Sequence, residues 1–191
     1  MINLSEYEEF SVCTTLKQAS LNGSDNQKAY MTESDMEAID FDQVKNNYGS
    51  KLKLSVFPAS NDALLQRSDK IFFIEFKDGN MGSEFHDVVR KIYESVLLFC
   101  DITKQTISDT RTYMTYILVY NESPSAAYIE KLQRDKRTIN KAPSFVKIGV
   151  AIGRLANDNA DIFGLKGRFK GLYFKDVLTV EKNDFSDDML G

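Results

Sequence analysis

Apolar and polar side chains alternate over residues 51–56, where Leu52, Leu54 and Val56 interleave with Lys51, Lys53 and Ser55. A period of two predicts a half-buried strand, and Phe57-Pro58 ends it because proline has no N–H to give a ladder. Two further strands are predicted at 62–66 and 71–77, joined by the polar turn Arg67-Ser68-Asp69-Lys70. After Asp78-Gly79-Asn80 the period changes. Phe85, Val88, Val89, Ile92, Val96, Phe99 and Cys100 follow the i, i+3, i+4, i+7 stripe of an amphipathic helix that Ser83 can cap. β-Branched and aromatic residues predict a strand over 112–120, followed by a helix at 124–137 with Pro124 near its start, a strand at 144–152 and a last strand at 168–174. Upstream, Tyr7, Phe10, Leu16 and Leu21 fall near helical spacing, so a first helix is predicted over 5–21, and 40–48 fits a short second one. The end, 184–191, reads as a short helix or tail.

The order of elements predicts one α/β domain over 1–191, a mixed β-sheet flanked by helices. Its core falls at about 51–152, between an N-terminal helical region (1–50) and a basic strand region with an acidic tail (153–191).

Composition constrains the chemistry more than the fold. The 191 residues are 42% hydrophobic and 27% charged, which suits a single globular domain. Cys13 and Cys100 make no disulfide framework and no Cys/His spacing suits zinc, so a reducing, cytoplasmic setting is expected. The start MINLSEYEEF is not a signal peptide, and no apolar run approaches the roughly 18 residues of a membrane span. A soluble protein with no membrane partner is expected. With His86 as the single histidine, catalysis is pushed toward carboxylates, lysine and a metal. The net charge of −4 is uneven: ten acids face five lysines over 1–62, eleven bases face three acids over 131–175, and the last sixteen residues hold five acids and one lysine. The central excess of +8 is a footprint for a polyanion if folding gathers those bases on one surface.

Within the hairpin, Glu75 and Lys77 project from one face of their strand, and Phe72, Ile74 and Phe76 from the other. Pairing Gln66 with Ile71 across the turn sets 65 against 72, 64 against 73 and 63 against 74, which leaves Asp62 facing Glu75. Opposed like charges destabilise a sheet. A divalent cation would offset them, because Mg2+ and Mn2+ prefer oxygen ligands, and Lys77 could orient or deprotonate a water there and stabilise charge on a phosphate. With 28 acids and 17 lysines, about 2.5 acid-x-Lys triplets arise by chance, so the weight lies in the position of Glu75-Phe76-Lys77 and not in its presence. An edge hairpin with its charged face in solvent, Lys77 paired to Glu75 or Asp62, is the structural alternative.

Asp62, then Glu75-Phe76-Lys77 closing a strand, then a long amphipathic helix and another strand resemble the PD-(D/E)xK superfamily of restriction-endonuclease-like nucleases over about residues 51–120. The resemblance implies an α-β-β-β-α-β core, Asp62 and Glu75 as metal-binding carboxylates, and Lys77 as the lysine beside the attacking water. Asn61 stands where the motif has proline. Many members carry an acid on the first helix, for which Glu6, Glu8 and Glu9 are candidates and Glu9 is preferred. The implied function is a Mg2+- or Mn2+-dependent endonuclease or exonuclease, acting on DNA in preference to RNA, compatible with a homodimer, in a defence or mobile-element system. The alternative is a non-catalytic nuclease-like binding or regulatory protein of the immunity type.

Outside the motif, GLKGRFKGLYFK places Lys166, Arg168 and Lys170 on one side of an extended segment, as a nucleic-acid backbone contact or a basic edge hairpin. Lys91 and Tyr93 lie on the long helix, within reach of substrate phosphate or on a solvated face. His86, in the first turn, reads as a surface residue.

Overall fold

The computed structural model describes residues 2–22, 29–139 and 161–191. Along the chain come β1 (Cys13–Thr15), α1 (Leu16–Ala19), β2 (Leu21–Asn22), β3 (Ala29–Tyr30), β4 (Glu37–Asp40), α2 (Phe41–Lys51), β5 (Ala63–Arg67), β6 (Lys70–Lys77), α3 (Met81–Thr103), α4 (Ile107–Tyr113), β7 (Met114–Tyr120), α5 (Glu122–Ile139), α6 (Leu165–Phe169) and β8 (Asp176–Glu181). Among the described residues one mixed sheet runs β1-β4-β5-β6-β7-β8, and β2 pairs with β3 apart from it. Neighbours are antiparallel as far as β6 and parallel from β6 to β8. The parallel step from β6 to β7 needs a long crossover, which α3 and α4 supply.

The β5–β6 hairpin has the register its turn predicts: Gln66 pairs with Ile71, Leu65 with Phe72, Leu64 with Phe73 and Ala63 with Ile74. Alternation along β6 then feeds two cores. Ile71 and Phe73 join α2 and α3 residues such as Phe41, Val88, Ile92 and Phe99, while Phe72, Ile74 and Phe76 pack with Leu16, Ile117 and Val180 on the opposite face. The sheet is thus flanked on both faces, as its predicted class requires.

Helix α3 follows its apolar stripe, with Val88, Ile92, Val96 and Phe99 buried. Its cap is Asn80, not Ser83: the Asn80 side chain accepts from Gly82 N at 2.8 Å. No helix among the described residues is long and apolar enough to cross a membrane. The helix ends on Lys104, held in the left-handed region at φ 57°. A Cβ is unfavourable there, so Lys104→Gly is expected to raise the unfolding free energy by about 0.5–1 kcal/mol in urea titrations. A loss instead would show that the exposed Lys104–Asp101 ion pair outweighs the backbone strain.

Three expectations fail for identifiable reasons. The helix over 5–21 is replaced by 3-10 turns at Leu4–Glu6 and Glu8–Phe10, then β1, α1 and β2. Leu4 and Phe10 feed the α3-side core and Leu16 the opposite one, so the segment wraps the sheet edge and its helical spacing is coincidental. The strand at 51–56 is also absent. Helix α2, capped by the Asp40 side chain on Gln43 N, runs through Lys51, after which Lys53 at φ 58° turns the chain. Leu52, Leu54 and Val56 end exposed, and the strand beside β5 is β4 instead. Consequently α2 falls between β4 and β5, a departure from the α-β-β-β-α-β order. At 168–174 helix α6 and a turn replace the strand, because Gly164 and Gly171 adopt φ 75° and 76°, where glycine pays no Cβ penalty. The last strand is β8. The 112–120 strand begins only at Met114, after α4. The strand predicted at 144–152 lies outside the described residues.

Candidate active site

Register and helix phase together build the acidic centre. Glu75 sits on the α3-facing side of β6, two residues after buried Phe73, and its side chain is fully buried. The β5–β6 ladder ends at Ala63, so Asp62 is not a ladder partner of Glu75 as the register predicts. The Asp62 carboxylate instead reaches across the end of the hairpin, its Oδ2 accepting from Phe76 N at 2.7 Å.

What joins the two acids is Lys91, from the third turn of α3. Its Nζ donates to Glu75 Oε1 at 2.8 Å and to Asp62 Oδ1 at 3.2 Å. Lys77 Nζ lies 3.4 Å from Glu75 Oε1, 3.3 Å from Glu84 Oε2 and 3.5 Å from Asp87 Oδ2. Glu84, Asp87 and Lys91 are spaced by three and four residues, so one row of α3 faces the site. Asp62, Lys77, Glu84 and Lys91 line a cleft of about 240 Å³ whose far wall comes from residues 19–22 and Met31. A larger hollow of about 720 Å³ beside β1, β4 and β5 has, among the described residues, Glu37 as its one charged lining residue and none of these groups.

The carboxylates remain electrostatically strained even beside two lysines. Burial, reinforced by the Asp62 charge, pushes Glu75 up to about 8. Burial likewise raises Asp62, against the pull of Lys91 and the Phe76 N–H, and the Asp42 charge adds to the rise. Desolvation, the largest influence on Lys77, would lower it, but the charges of Glu75, Glu84 and Asp62 together outweigh it and keep Lys77 above its ordinary value. Lys91, between two carboxylates, is raised further. Both lysines are therefore held toward their charged form, giving charge and hydrogen bonds to the acids around them.

Several polar atoms around this centre are buried without a hydrogen-bond partner among the described residues: Glu75 Oε2, the Asn61 side-chain amide and the Tyr116 hydroxyl. Tyr116 pairs with Phe73 in the β6–β7 ladder, which sets it diagonal to Glu75. Each unmet group costs about 1–3 kcal/mol, so a ligand that satisfies them would be stabilised. Among the described residues no three His, Cys, Asp or Glu side chains are grouped to hold a metal ion. The two carboxylates still suit Mg2+ or Mn2+, which are commonly held by one or two carboxylates plus substrate oxygens, and Glu75 Oε2 offers an unused oxygen.

The other sequence candidates lie elsewhere. Glu9 pairs with Lys51 at 2.7 Å, and none of Glu6, Glu8 and Glu9 lines the cleft. The acid on a preceding helix whose charge reaches Asp62 is Asp42 of α2, bonded to Ser60 and Lys45. Tyr93 packs on Phe169 and Tyr173, at 5.3 and 5.6 Å between ring centroids, and His86 is exposed. Lys166, Arg168 and Lys170 do not share one side of an extended segment. Lys166 and exposed Arg168 are on α6, while Lys170, just after it, is paired with Asp176 at 2.9 Å. Lys141, Lys147 and Arg154 of the basic stretch lie outside the described residues.

No protein-family model matches the chain, and neither a curated protein nor a solved structure shows significant similarity to it.

Proposed function

We propose that the protein is a metal-dependent nuclease that hydrolyses phosphodiester bonds, acting on DNA in preference to RNA through Asp62, Glu75 and Lys77. One observation carries this reading: a single ammonium contacts both Asp62 and Glu75 at the wall of an open cleft, so one cation can serve both carboxylates. The upward push on both acids adds to it, because further positive charge would relieve them. Glu75-Phe76-Lys77 at the end of β6, followed by the long helix α3, by α4 and by β7, supports the PD-(D/E)xK reading locally, while α2 between β4 and β5 departs from its order. A bound Mg2+ or Mn2+ would polarise a phosphodiester and acidify a water. Asp62 and Glu75 would hold the ion, and Lys77, kept charged by Glu75, would stabilise the negative charge that grows on the phosphate. Arg168, exposed on α6, would be available to a phosphate backbone.

The test is incubation of plasmid, linear and single-stranded DNA with the protein and Mg2+ or Mn2+. Cleavage is expected and chelation should stop it, and Lys77→Ala is expected to lose about 100-fold or more. Inert wild type with every substrate, or full activity in Lys77→Ala, would reject the proposal. A second reading, a non-catalytic nuclease-like binding or regulatory module, is favoured by Lys91 itself, which already offsets part of the acid charge. It calls for metal-independent binding without cleavage.

A further inference from the structure

We infer that Lys91 is a built-in competitor of the divalent cation, its ammonium holding the Asp62–Glu75 pair until the ion displaces it. The inference rests on the metal-dependent reading and gives a role to a lysine outside the Glu75-Phe76-Lys77 triplet.

The competition follows from which oxygens remain. Asp62 Oδ2 is engaged by Phe76 N at 2.7 Å, which leaves Oδ1, the atom Lys91 holds at 3.2 Å, as the oxygen that a cation competes for most directly. On Glu75, Lys91 holds Oε1 at 2.8 Å and Oε2 is unpartnered. An ion at the usual ~2.1 Å from its oxygens would sit within a few ångströms of Lys91 Nζ, where like charges repel strongly. The ammonium has somewhere to go. Its side chain lines the cleft and is 17% exposed, and Asp87 and Glu84 lie about one and two turns back along the same row of α3. Glu84 holds Lys77 at 3.3 Å, and Asp87 holds Lys77 at 3.5 Å and Arg90 at 2.7 Å, so a displaced Lys91 would share this acidic row with cations already on it. Without an ion, Lys91 keeps the buried Glu75 and partly buried Asp62 carboxylates from facing each other uncompensated, and its grip lowers the apparent affinity for metal.

Calorimetric titration of Mn2+ into the full chain without nucleic acid tests this, with wild type, Lys91→Gln, Lys91→Arg and Asp62→Asn compared after circular dichroism has confirmed their folding. Lys91→Gln removes the charge and keeps a donor; it is expected to bind Mn2+ at least about tenfold tighter than wild type, a change of about 1.4 kcal/mol. Lys91→Arg, whose guanidinium grips carboxylates as a fork, is expected to bind more weakly than wild type. Asp62→Asn should abolish binding. A merely structural lysine would not shift affinity in opposite directions for Gln and Arg. If wild type binds Mn2+ and Lys91→Gln binds no tighter, the competition is overturned and the metal-dependent reading stands. If folded wild type and Lys91→Gln both fail to bind, that reading falls and this inference with it. Should Lys91→Gln fail to fold, the arginine variant decides: binding equal to or tighter than wild type overturns the proposal.

Discussion

Asp62→Asn is expected to lower metal-dependent DNA cleavage by about 1,000-fold while shifting the thermal midpoint by only a few degrees. The two effects separate because the amide is nearly isosteric. Its carbonyl oxygen can still accept from Phe76 N, and Lys91 keeps Glu75 as its partner. What disappears is the negative charge, at a group whose pKa burial already pushes upward, so the fold gives up a charge that it holds at a cost. A cation that Asp62 and Glu75 would hold would lose an anionic ligand, and a factor of 1,000 corresponds to about 4 kcal/mol of transition-state stabilisation. Initial rates on plasmid at saturating Mg2+, with melting curves on the same preparations, provide the check. Retained activity would remove Asp62 from the site. Lost activity with a collapsed midpoint would mean that the carboxylate is needed for the fold.

Phe73→Ala should cost about 3–5 kcal/mol of stability, read as a lower urea midpoint at unchanged slope. Phe73 is fully buried on β6 and lies edge-on to Phe41 at 4.8 Å and to Phe99 at 5.9 Å, which ties the hairpin to α2 and α3. Truncation removes the ring's transfer free energy and leaves a cavity between two helices that cannot both close on it. Two residues on, Glu75 shares that face, so the same cavity loosens the support of the acid. For a domain whose whole stability is about 5–15 kcal/mol, this is a large fraction. Leu97→Ala is the control. At 60% exposure Leu97 should change stability by less than about 0.5 kcal/mol. A Phe73→Ala loss under 1 kcal/mol would contradict the aromatic packing.

Legibility varied with how local the deciding interactions are. A four-residue turn and strict alternation specify the β5–β6 register without reference to the rest of the chain, and the stripe on α3 is long enough to exclude a strand. The segment around Leu4, Phe10 and Leu16 was misleading because its apolar residues serve opposite faces of the sheet, which no periodicity records. Leu52 and Leu54 alternate like a strand but follow a helix whose Asp40 cap and buried Phe41, Val44 and Tyr48 commit it through Lys51. Glu9 was the preferred helical acid, yet it pairs with Lys51, and Asp42 carries the charge that Asp62 senses.

The amino-acid pattern alone determined a mixed α/β chain, the central hairpin, the long helix, and the placing of Glu75 and Lys77 on one face of one strand. Each depends on contacts a few residues apart, where backbone geometry leaves little choice. Only the tertiary structure decided that Asp62 reaches Phe76 N from beyond the ladder and that the helix docks with Lys91 between the two acids. It also decided that Lys77 shares Glu84 and Asp87. Those contacts depend on the phase and height at which α3 packs on the sheet, and that is set by both cores together.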